Sequence, residues 1–108
     1  MTTNERTQLV ENLKNALPMI ALEGSEKQIA WAEEIRDNYI HSVIEAAGSE
    51  HDFVIYEHYL GWLLKTQPTA KWWIDNRSNH RLTREMMATY GRYCMANEPE
   101  TWKILTTR

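Results

Sequence analysis

From Ser25 to Ala47 apolar residues recur at the interval of one α-helical face, and this run constrains the fold more than any other stretch of the chain. Steps of about 100° per residue put Ile29, Ala32, Ile35, Tyr39, Ile40, Val43 and Ala47 in one stripe, with Glu34, Asp37, Asn38 and Glu45 outside it. The start is marked by Gly24-Ser25-Glu26-Lys27-Gln28, in which Ser25 can accept from the helix backbone and Gln28 can reach back, the two halves of a capping box. Gly48 supplies a stop. So long an amphipathic helix needs partners along its stripe, and the remaining sequence offers helices.

Residues 4 to 17 carry Leu9, Val10, Leu13, Ala16 and Leu17 at helical spacing until Pro18 stops them. Ser49 can cap a third helix over roughly residues 50 to 66, whose first turn holds Glu50 and Asp52, suited to the positive end of the dipole. This helix is apolar on two sides, with Phe53, Tyr56, Leu60, Leu63 and Leu64 on one and Ile55, Tyr59 and Trp62 on the other. Such a helix is either central or meets a second partner. Pro68 ends it, and Thr69 can cap a short helix over Ala70 to Asn76 containing Trp72 and Trp73. After an irregular polar stretch, Thr83 is placed to cap a helix to about Ala96, and Asn97-Glu98-Pro99 opens a last one. The expected fold is all-α, a single compact bundle of five or six helices over residues 1–108, with 1–3 and 106–108 frayed. A chain of 108 residues, 43% hydrophobic and 25% charged, suits one domain with one core.

Charge is unevenly distributed along the chain. Residues 1 to 61 hold four basic residues against eleven acidic, a net of −7, and residues 62 to 95 hold six against two, a net of +4. The whole chain carries −3. A single cysteine, Cys94, excludes an internal disulfide framework, and no apolar run is long enough for a membrane span or a signal-peptide core. A cytoplasmic protein without a membrane partner is the expectation.

The residues that carry chemistry are sparse. His41 and Glu45, four residues apart, could face one ion but have no third ligand nearby, and His51 and His58 stand about 10 Å apart by helix rise. Cys94 sits on the apolar side of its helix with no local His or acidic partner, as a buried inert thiol would. Gly-rich phosphate loops, HExxH and GxSxG motifs are missing. The sequence therefore reads as a non-enzyme with no metal site and no cofactor.

Two stretches, Gly24-Ser25-Glu26-Lys27-Gln28-Ile29-Ala30-Trp31-Ala32-Glu33-Glu34-Ile35-Arg36 and Ala70-Lys71-Trp72-Trp73-Ile74-Asp75-Asn76-Arg77, resemble a group of small uncharacterised helical proteins of phages, plasmids and other mobile elements. In that group a KQxxWAxxIR helix precedes an AxxWIDNR segment. The resemblance implies a mobile-element setting and supplies no reaction. Physically these residues read as architecture: Ser25 as cap, Trp31 on the shoulder of the long helix's stripe, and Trp72 and Trp73 as core. Arg36, near the middle of that stripe, needs an acceptor, and Asp75 is the candidate for a bidentate pair docking the two segments.

Two binding readings remain. In the first, the acidic outer side of the long helix, Glu33, Glu34, Asp37 and Glu45, together with the second stripe of Ile55, Tyr59 and Trp62, meets a protein partner with a basic surface. The partner would be a host or defence nucleoprotein, by analogy with anti-CRISPR proteins that occupy nucleic-acid channels. Burial of the second stripe under the C-terminal helices, or in a homodimer, competes with it. In the second reading Lys71, Arg77, Arg81, Arg84 and Arg92 hold the phosphates of DNA or RNA while Trp72, Trp73 and Tyr90 stack on bases. The modest excess of four positive charges weighs against it.

Overall fold

A computed structural model describes residues 1–107 and contains six helices: α1 (Thr3–Ala16), α2 (Glu26–Glu45), α3 (Glu50–Thr66), α4 (Ala70–Asp75), α5 (Leu82–Asn97) and α6 (Pro99–Thr106). Among the described residues there is no strand, and the all-α bundle read from the sequence is the fold. Arg108, part of the tail expected to fray, lies outside the described residues. At the other end Thr2 caps α1, its hydroxyl accepting from the Glu5 amide.

Local signals placed most helix starts. Ser25 and Gln28 form both halves of the capping box, Ser49 accepts from the Asp52 amide, and Thr69 accepts from the Trp72 amide. Pro99 occupies the first turn of α6, where a missing N–H costs nothing. Two expected boundaries move. Helix α2 ends at Glu45 rather than Ala47, with Ala46 still near helical geometry, and Gly48 adopts no left-handed conformation but donates its amide to Asp52 Oδ2 at 2.8 Å. Helix α5 begins at Leu82 after Arg81, which supplies no side-chain cap. Thr83, expected as the cap, instead bonds the Tyr39 hydroxyl.

The core sits where α3 is enclosed, with Phe53, Tyr59, Leu60, Leu63 and Leu64 all buried. Leu13 and Leu17 cover it from α1, Ile40, Val43 and Ile44 from α2, and Tyr90 and Cys94 from α5. Helices α2 and α4 form the tightest pairing. The Glu23 amide donates to Pro68 O and the Ala70 amide to Glu23 O, both at 2.9 Å, tying the segment before α2 to the start of α4. Gly24 makes this approach possible: its φ is 152°, and a Cβ there would lie 3.1 Å from Ala70 Cβ. The C-terminus of α2 is held by Arg6, whose Nη1 donates to Ala47 O at 2.6 Å and whose Nη2 reaches Glu45 O at 3.3 Å, a cation at the negative end of a helix.

Candidate interaction surfaces

The two stretches singled out in the sequence meet as one unit, through contacts other than the expected one. Arg36 is buried, but its Nη1 donates to the Ile20 carbonyl at 2.7 Å, and Asp75 is an exposed ion-pair partner of Lys71 one turn away. No Arg36–Asp75 pair forms. A carbonyl in the α1–α2 connection lies within the guanidinium's reach, and Lys71, four residues before Asp75, claims that carboxylate. Docking of the segments instead uses the Gly24–Ala70 approach, the Tyr39–Trp73 ring contact at 5.8 Å, and Arg77 lying 4.8 Å over the Trp31 ring. Trp73 is buried and donates its indole N–H to Gln67 O, whereas Trp72 is half-buried against its edge. Trp31 remains 46% exposed, so its place on the shoulder of α2 leaves it at the surface rather than in the core.

The acidic side of α2 is an open face. Glu33, Glu34, Asp37 and Glu45 are all exposed. Glu45 lies 4.0 Å from His41 Nε2, and the other three make no ion pair among the described residues. Beside this face a cleft of about 270 Å³ runs between Asp37, Ile40 and His41 on α2 and Lys14 near the end of α1 with Leu17 and Met19 just after it. Met19, 50% exposed, and Leu17 give it an apolar margin.

The second stripe of α3 is largely consumed within the molecule. Tyr59 has no exposed surface, which removes it from any partner-binding set, and Ile55 and Trp62 are half-buried. Helix α5 covers Tyr59 and Trp62: the Tyr90 ring lies 6.3 Å from Tyr59 and 5.0 Å from Trp62. The Tyr59 hydroxyl meets the Tyr39 hydroxyl at 2.7 Å, and that one meets Thr83 Oγ1 at 2.8 Å. Burial pushes the pKa of both phenols above the usual tyrosine value, Tyr59 the further. Three hydroxyls from α2, α3 and α5 thus satisfy one another in the interior, a network whose partners are 20 and 44 residues apart and leave no local signal.

Three of the five basic side chains singled out in the later half have partners within the chain. Lys71 is committed to Asp75, Arg77 to the Trp31 ring and its own Ile74 carbonyl, and Arg92 Nη2 to Thr89 Oγ1. Arg81 and Arg84 are exposed at the start of α5 and make no side-chain bond among the described residues. Of the rings that would stack on bases, Trp73 and Tyr90 are buried. Cys94 is also buried, and its thiol pKa is raised by that burial. His51 faces the Leu105 carbonyl, its Nε2 at 3.1 Å. No helix among the described residues is long and apolar enough to cross a membrane. No family model, curated protein or solved structure matches the chain.

Proposed function

We propose that this protein works by binding another protein, as a non-enzymatic inhibitor or regulator of mobile-element origin, and that the acidic side of α2 meets a basic surface of a host or defence nucleoprotein. The observation that carries this reading is the set of three exposed carboxylates, Glu33, Glu34 and Asp37, with no cation paired to them among the described residues. Carboxylates held on a rigid helix and left unpaired within their own molecule keep their full field for a partner, which speeds encounter and selects a surface of opposite sign. The nucleic-acid reading is the weaker one, because two of its rings are buried and three of its five basic side chains already have partners inside the fold.

Immobilised protein, exposed to extract of the host cell at low salt and then eluted with rising salt, tests the reading. A basic-surfaced protein retained by the native chain and lost by the Glu33→Lys, Glu34→Lys, Asp37→Lys triple variant is the expected result. Retention of the same partner by the triple variant overturns the acidic face as the binding surface, and direct retention of single- or double-stranded nucleic acid by the native chain supports the alternative.

A further inference from the structure

A groove of about 580 Å³ lies away from the acidic side of α2, along a face of α3 between the end of α1 and α5. Its wall is a set of rings. Trp62 and Tyr90 lie 5.0 Å apart at 33°, Tyr90 and Tyr93 6.4 Å apart at 18°, with Tyr90 beneath and Tyr93 38% exposed. Glu57 and Glu98 line the same groove, together with Lys65 and His58, and neither carboxylate forms an ion pair among the described residues. The Glu98 carboxylate stands close enough to Tyr93 to hold that phenol's pKa above its usual value. Lining the groove between Glu57 and Trp62, Gly61 occupies the interior of α3, where glycine is disfavoured against alanine. Nothing in the fold requires it: a Cβ there meets no atom within 4 Å. What a side chain at 61 would fill is the groove.

We infer that this groove receives an arginine side chain of a protein partner, stacked on the Trp62–Tyr93 surface and paired with Glu98 or Glu57. Electron-rich ring faces beside carboxylates favour a cation, and a planar guanidinium can lie flat on a ring while its N–H fork meets a carboxylate, which an ammonium cannot do. With two carboxylates against the single Lys65 the charged lining favours a cation over a phosphate backbone. The inference rests on the reading of the chain as a protein-binding module and adds a second, chemically specific point of contact.

The test is a titration of the isotope-labelled full chain with octa-arginine, octa-lysine and a single-stranded oligonucleotide, followed through backbone amide resonances. Octa-arginine is expected to shift the amides of Gly61, Trp62, Tyr93 and Glu98, to bind more tightly than octa-lysine, and to lose about tenfold or more in affinity in Glu98→Gln and in Gly61→Leu. Glu98→Gln keeps the fold's packing, so it decides the matter if Gly61→Leu disturbs α3. Equal affinity for native and Glu98→Gln protein, preference for octa-lysine or the oligonucleotide, or shifts confined to α2 around Glu34 and Asp37 would each overturn the groove. The last of these leaves the acidic-face reading standing. Groove binding that survives in the α2 triple-lysine variant, with the cellular partner still retained, rejects the acidic face and keeps the groove.

Discussion

Arg36 is the residue at which burial and charge conflict most directly. Its guanidinium is 6% exposed, donates to one carbonyl, and leaves Nε without a partner. Replacing it by alanine removes a charge-assisted hydrogen bond and a packed aliphatic stem, and Arg36→Ala is expected to lower unfolding stability by roughly 2–4 kcal/mol. Asp75→Asn is expected to change it by less than about 0.5 kcal/mol, because the Lys71–Asp75 pair is solvent-exposed. Denaturant titration of both variants checks this; an Arg36–Asp75 pair would make both losses large. The interior phenols give a second residue-scale prediction. Burial raises the pKa of Tyr39 and Tyr59, so the folded state holds those protons more tightly than the unfolded state does. Their contribution is complete below the unfolded phenol value of about 10 and is lost as pH rises above it. Tyr59→Phe, which leaves Tyr39 bonded to Thr83, should flatten the alkaline fall in melting temperature; an unchanged fall contradicts this assignment.

At the scale of the helix, the local signals were the legible ones. Ser25, Ser49 and Thr69 cap where the sequence places them, because a cap is decided within three residues. Thr83 departs from the expected cap because a hydroxyl on α2 competes for it, and Arg36 from its expected partner because a backbone carbonyl carries no sequence signature as an acceptor. The acidic side of α2 was readable from periodicity alone, whereas the groove was not, since its walls come from three helices whose packing order no local pattern encodes. Two glycines illustrate the difference. Gly24 holds a left-handed φ beside Ala70, so Gly24→Ala is expected to destabilise by about 1–3 kcal/mol. Gly61 has helical geometry and open space, so Gly61→Ala is expected to stabilise by about 0.5–1 kcal/mol. Thermal unfolding of the two variants should move in opposite directions; a loss of stability in Gly61→Ala would show that the glycine serves the fold rather than the groove.

Across the whole molecule, the acidic first part and the basic later part are treated differently by folding. Half of the basic side chains of the later part, Lys71, Arg77 and Arg92, enter local pairs or a ring contact, while three carboxylates of α2 stay exposed and unpaired among the described residues. The two distinctive stretches of sequence build the α2–α4 unit that holds those carboxylates in place, so they act as scaffold and the charges around them as surface. The function proposed for the chain lies on the outside of the bundle, as electrostatic recognition of a protein by α2. The most direct measurement is the affinity of the retained partner for native protein and for the Glu33→Lys, Glu34→Lys, Asp37→Lys variant across a range of salt. Electrostatic recognition by α2 predicts native affinity that falls steeply with salt and a loss of about tenfold or more in the variant at low salt. Equal affinities with the same salt dependence would contradict it.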